Sequence, residues 1–135
     1  MKKKLLIIFF LFLGTQGLYS QTNNSIIITV GNQPITRLDL IKEIKFITVL
    51  SNTSINDSNK ENIKNLAIQT LVKRAIKKNE IERLKITRYN PKDLERRIFK
   101  ISKNLGLDNE GLKILLKKNN LKFEDIKKNF EIELK

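Results

Sequence analysis

Cysteine and histidine are both missing from this chain, and tryptophan with them. Without thiols, neither disulfides nor thiolate metal sites can form. Without imidazole, histidine general-base catalysis and the usual zinc ligand sets fall away as well. Stability is therefore expected from packing alone. Glycine and proline are scarce, at five and two in 135 residues, while apolar residues make up 40%; that balance points to a folded, mostly helical body rather than a disordered chain. The Ser, Tyr, Asp and Glu residues are scattered and form no nucleophile–base constellation. No enzymatic activity, no cofactor and no metal site are expected.

Long hydrophobic runs are short in supply too. The longest is Leu5 to Leu13, preceded by Lys2, Lys3 and Lys4 and followed by the small and polar stretch Gly14 to Ser20. A positive start, a short apolar centre and a small residue before a cut form the layout of a secretory signal peptide. The cut is placed before Gln21, with a second candidate after Thr15-Gln16-Gly17. The alternative is a retained membrane anchor, but nine residues make a helix of only about 14 Å against a hydrocarbon core of about 30 Å. Residues 1–20 are thus read as a signal peptide and 21–135 as one domain working outside the cytoplasm, in the periplasm. The 115 residues left by 135 minus 20 suffice for one modest core, burying roughly two thirds of the unfolded surface.

Acidic residues are outnumbered 14 to 27 by lysine and arginine, for a net charge of +13. Removing Lys2 to Lys4 lowers this by 3, to +10. Such an excess ordinarily suggests nucleic acid. Here it is mostly lysine, whereas phosphate recognition favours the bidentate guanidinium fork, and an exported protein rarely meets nucleic acid. The excess reads as a solvated surface set by an AT-rich codon usage. If it binds anything, anionic lipid head groups or acidic polypeptides are the partners it suits.

Along the chain, Ser25 to Val30 is a β-branched run that reads as a strand. Gly31-Asn32-Gln33 supplies a turn, and Pro34-Ile35 only a short return strand, because proline donates no ladder hydrogen bond. Thr36, with Asp39 three residues on, makes a variant capping box for a first helix over 37–50, in which Leu40, Ile41, Ile44 and Ile47 recur at helical spacing. Residues 51–58 form a loop. A long central helix over 59–84 carries two apolar stripes, Ile63, Leu66, Ala67 and Leu71 on one side and Ile68, Val72, Ala75 and Ile76 on another, which predicts neighbours on both sides. Asn90-Pro91 opens the next helix, striped by Leu94, Ile98, Ile101 and Leu105 and ended by Gly106. Asp108 caps a short fourth helix, and Asn119-Asn120 breaks it. A fifth starts near Lys122 with Phe123, Ile126, Phe130 and Leu134 on one face. Glu131 and Glu133 fall in its last turn, where the helix dipole disfavours carboxylates; a cut helix and a frayed end both fit. The fold class is mainly α, with an N-terminal strand or short hairpin followed by about five helices.

In order and spacing these segments resemble the N-terminal chaperone domain of SurA-like periplasmic proteins, usually peptidyl-prolyl isomerases of the parvulin type. The residues that carry the resemblance start at Ile28-Thr29-Val30-Gly31-Asn32-Gln33-Pro34-Ile35-Thr36, similar to the family's strand, turn and helix start. Glycine and asparagine are exchanged, so a turn of shifted type is expected. It continues through Ile63 to Ile86, where Lys85 stands in place of a usual glycine. It ends with Asn104-Leu105-Gly106-Leu107 and Leu121-Lys122-Phe123-Glu124-Asp125-Ile126. Nearly all of the chain after the leader is covered.

The resemblance implies a SurA N-terminal, trigger-factor-like chaperone domain: a holdase that binds unfolded outer-membrane proteins without ATP through exposed apolar surface. Phe46, Val49, Leu50 and Phe99 fall off the main stripes of their helices and are the candidate contacts; burial in the core is the competing reading of each. Phe123 and Phe130 are assigned to the core. An isomerase domain would need roughly 90 further residues, and none follow Lys135, so no isomerase activity is expected. In the family a C-terminal helix packs back onto this domain, so a helix from another chain is a further expected partner. The rival readings are a basic helical protein on anionic membrane surfaces and a truncated isomerase lacking its catalytic domain.

Overall fold

The β-branched run forms strand β1 (Ile26–Val30), antiparallel to β2 (Gln33–Thr36). The computed structural model describes residues 24–135; the expected signal peptide and its cut before Gln21 lie outside the described residues. Positive φ falls on Gly31 (+59°) and not on Asn32, the type II′ pattern, in which glycine takes the first central position. That is the shifted turn expected from the exchanged residues. Pro34 costs the ladder nothing. It lies opposite Thr29, one step from the Val30–Gln33 pair that flanks the two-residue loop. In that register the flanking pair exchanges hydrogen bonds and the next pair points its backbone groups away. β2 is therefore longer than the two residues read from sequence.

Five helices follow: α1 (Arg37–Leu50), α2 (Lys60–Leu84), α3 (Pro91–Asn104), α4 (Asn109–Lys118) and α5 (Phe123–Leu134). The starts of α1, α3 and α4 are those the side chains encode. Thr36 Oγ1 accepts from Asp39 N at 3.2 Å while Asp39 Oδ2 accepts from Thr36 N at 2.9 Å, closing the capping box. Asn90 Oδ1 accepts from Lys92 N at 3.1 Å, with Pro91 in the first helical position. Asp108 Oδ1 accepts from Gly111 N at 2.7 Å.

Their ends share one device. Beyond α1, α2, α3 and α4 stands a left-handed residue: Asn52, Lys85, Gly106 and Asn120 respectively. Past α3, Leu107 N donates to Ser102 O at 2.9 Å and Gly106 N to Lys103 O at 3.0 Å, the paired bonds of a Schellman cap. Past α2 the same pair is made by Ile86 N to Ile81 O and Lys85 N to Glu82 O, but the left-handed residue is lysine at φ +54°. An L residue with a Cβ is strained there by about 1–2 kcal/mol, and glycine returns part of that as chain entropy. Lys85→Gly is expected to stabilise the fold by about 1 kcal/mol, raising the thermal midpoint by roughly 4–8 °C in a melt followed by circular dichroism. An unchanged or lower midpoint would show that the strain is absent.

The core lies to one side of α2. Phe46 from α1, Leu94 and Ile98 from α3, Leu112 and Leu116 from α4, Leu121, and Ile126 and Phe130 from α5 form one buried cluster. α2 packs against α1, α5 and both strands, yet its buried apolar residues are only Ile63, Ala67 and Ala75. Leu66 and Ile76, from the two stripes expected to find neighbours on both sides, are about half exposed, at 49% and 50%. The helix is 25 residues long and its neighbours cover one side of it.

Candidate functional site

The buried positions of α1 are Glu43 and Phe46. The Leu40, Ile44 and Ile47 stripe read from the sequence is half-buried, and Ile41 is exposed. The cause is Arg74 of α2, which reaches Glu43 bidentately, Nη1 to Oε2 at 2.8 Å and Nη2 to Oε1 at 3.1 Å. A carboxylate can be buried at a core position only with such a partner. Arg74 Nη2 also meets Glu133 Oε1 at 3.4 Å, and Arg97 of α3 holds the other Glu133 oxygen while lying 4.3 Å over the Phe130 ring. Burial works to lower the Arg74 pKa, but the Glu43 hydrogen bond and the charges of Glu43 and Glu133 outweigh it and hold the guanidinium above its ordinary value.

The carboxylates in the last turn of α5 are thereby explained. Glu133 is neutralised by Arg74 and Arg97, and Lys77 Nζ donates to its backbone carbonyl. Glu131 Oε1 accepts from Tyr89 Oη at 3.0 Å. Tyr89 is held above the usual phenol value by desolvation and by that bond to a carboxylate. Packing alone does not hold the fold, since ion pairs join α1, α2, α3 and α5.

Of the four residues singled out in the sequence, Phe46 is 6% exposed and belongs to the core cluster. Val49 and Leu50 sit at the end of α1, half-buried against that cluster. Phe99 alone is well exposed, at 59%, on the outer face of α3 with Lys103 Nζ 5.6 Å from its ring centroid. The structure thus brings three of them together at the end of α1 and leaves Phe99 apart. Phe123 is half-buried and Phe130 buried, both in or against the core.

The sequence reading missed two features. The first is a set of exposed apolar residues on β1 and the first turns of α1: Ile26 and Ile27 are 61% and 44% exposed, Leu38 and Ile41 47% and 45%. Arg37 N donates to Ser25 O and Leu38 N to Asn24 Oδ1, which draws the start of β1 against the start of α1. The signal was in the sequence as surplus apolar residues, of which periodicity placed Ile41 on the buried stripe and left Ile26, Ile27 and Leu38 without an assigned face. The second is a groove of about 470 Å³ between α3, α4 and α5. Its floor is Tyr89, Leu94, Ile98 and Phe123, and Glu95, Glu110, Lys113 and Lys127 stand on its rim. Lys113 is paired with Glu110 at 2.6 Å and Lys127 with Glu124 at 3.8 Å, so the rim is close to neutral. Such an arrangement can take an uncharged apolar side chain.

Among the described residues no cluster of acidic side chains could hold a metal ion, and no helix is long and apolar enough to cross a membrane. Compared with known proteins, the family model described as SurA-like N-terminal domain matches residues 4–135. No curated protein and no solved structure matches.

Proposed function

We propose that this chain, which belongs to the family of SurA-like N-terminal domains, acts as an ATP-independent holdase in the periplasm for unfolded polypeptides, outer-membrane proteins foremost. The family carries a chaperone-type role, and the matched region is the N-terminal domain, not the isomerase domain. The observation that supports the holdase reading is the large apolar surface left open in a strongly charged protein. Isolated exposed apolar residues are ordinary, whereas neighbouring ones mark binding surfaces. Four of them lie on β1 and the first turns of α1, whose starts are drawn together by Arg37 N–Ser25 O and Leu38 N–Asn24 Oδ1, and the groove between α3, α4 and α5 adds a concave apolar site. Phe99, Val49 and Leu50 are proposed contacts beside these, with Phe46 supporting Val49 and Leu50 from beneath. A broad, adaptable surface suits clients that share only alternating apolar side chains.

Light scattering tests this. Residues 21–135, added in several-fold excess to an aggregating outer-membrane barrel protein, are expected to suppress the scattering. Suppression should persist at about 0.5 M NaCl, where the Debye length is about 4 Å. No suppression removes the holdase reading. The second reading, a basic protein on anionic membranes, is favoured by the net charge of +10 that remains without Lys2 to Lys4; it requires binding to anionic vesicles that collapses at the same salt.

A further inference from the structure

We infer that the outer edge of β1 is a strand-addition site, which takes an extended, neutral-to-acidic polypeptide segment as a third strand of the hairpin. The inference rests on the holdase reading and names how that client is gripped. β1 pairs with β2 on one side only. Thr29, opposite Pro34, turns its N–H and C=O away from β2, and neither group has a partner among the described residues. Edges of this kind are usually blunted by charge or proline. The sequence of β1 is Ile-Ile-Ile-Thr-Val, with neither, and its one irregularity lies at the far end, between Ile26 and Ile28.

The edge is also held ready. Asn79 of α2 donates Nδ2 to Val30 O at 2.9 Å, and a Cβ on Gly31 would lie 2.6 Å from the same nitrogen. The turn is therefore seated against α2, and a strand that arrives pays little to order it.

The occupant follows from what the edge can recognise. An uncharged β-branched strand reads backbone, and backbone is what all unfolded chains share; alternate apolar side chains of the added strand have the exposed Ile26 and Ile27 of β1 beside them. Charge sets the choice between occupants. At +13 for the full chain, or +10 once Lys2 to Lys4 are removed, two copies of this chain repel, and a segment carrying acidic groups is attracted.

The test titrates the full chain with a labelled synthetic peptide of alternating valine and threonine flanked by glutamates, and with the same peptide N-methylated along one edge. The unmodified peptide is expected to bind at least about tenfold more tightly and to slow hydrogen exchange of the Thr29 amide. Thr29→Pro, which removes the outward N–H without breaking a hydrogen bond to β2 and also replaces the threonine side chain and fixes φ, should weaken binding by about the same factor while circular dichroism and urea unfolding stay unchanged. Equal binding of both peptides overturns the inference, as does wild-type affinity in a folded Thr29→Pro protein. A dimer in light scattering that Thr29→Pro dissolves also overturns it, by giving the edge to a second copy. If Thr29→Pro does not fold, the comparison of the two peptides on the wild-type chain decides alone. Aggregation suppression that persists without peptide binding removes this site and leaves the holdase reading standing. Peptide binding without suppression removes the holdase reading and leaves the site.

Discussion

Replacing Arg74 by methionine costs about 3–5 kcal/mol, a large share of a total stability of about 5–15 kcal/mol. Most of the loss is the stranding of Glu43. Its side chain is 7% exposed and its two oxygens are occupied by the two Arg74 η nitrogens, so methionine leaves a carboxylate out of water with nothing to pair it. Glu133 loses one of its two cations at the same time. The double variant Glu43→Leu/Arg74→Met removes both charges and is expected to recover most of the stability, because a buried pair is replaced by hydrocarbon of similar size. Urea unfolding of the two single variants and the double closes a mutant cycle. If the double is as unstable as Arg74→Met alone, packing of the arginine stem, and not the stranded carboxylate, accounts for the loss.

Phe46→Ala has the other large effect. Removing a phenyl ring from a position 6% exposed, beneath Leu94, Leu116 and Phe130 in one cluster, costs about 3–5 kcal/mol through lost transfer energy and the cavity left behind. Phe99→Ser, at a position 59% exposed, falls within about 0.5 kcal/mol of the wild type. Aggregation suppression should fall in Phe99→Ser with helical circular dichroism intact, while in Phe46→Ala both fall together. A Phe46→Ala protein with unchanged helicity and reduced suppression would place the ring on the surface and contradict the packing described here.

The two substitutions also mark where the sequence was legible and where it was not. Three helix starts were readable because each is encoded in a few adjacent side chains: Thr36 with Asp39, Asn90 with Pro91, Asp108. Gly106 and Asn120 marked helix ends for the same reason. The buried face of α1 was not readable, because its key member is a glutamate. Periodicity counts apolar residues, and Glu43 enters the interior only through an arginine 31 positions away, a pairing no local window contains. Phe46 consequently fell off the stripe on paper and into the core in space. Glu133 is the same case, since its cations come from α2 and α3 and its place against the helix dipole makes sense only once they are known. Ile41 shows the opposite error, an apolar residue on the periodic stripe being taken as interior, whereas Ile26 and Ile27 were read only as strand and Leu38 was given no face.

The uneven interior has a thermal meaning. α3, α4 and α5 meet through leucine, isoleucine and phenylalanine, whereas α2 brings one isoleucine and two alanines to full burial and leans on Arg74 and Lys77 for the rest. Hydrocarbon contact weakens on cooling, and the desolvation penalty of buried ions shrinks on heating. Cooling therefore loosens both halves, the three-helix side by fading hydrocarbon contact and the seam along α2 by a rising desolvation penalty, while salt scarcely reaches the buried Arg74–Glu43 pair.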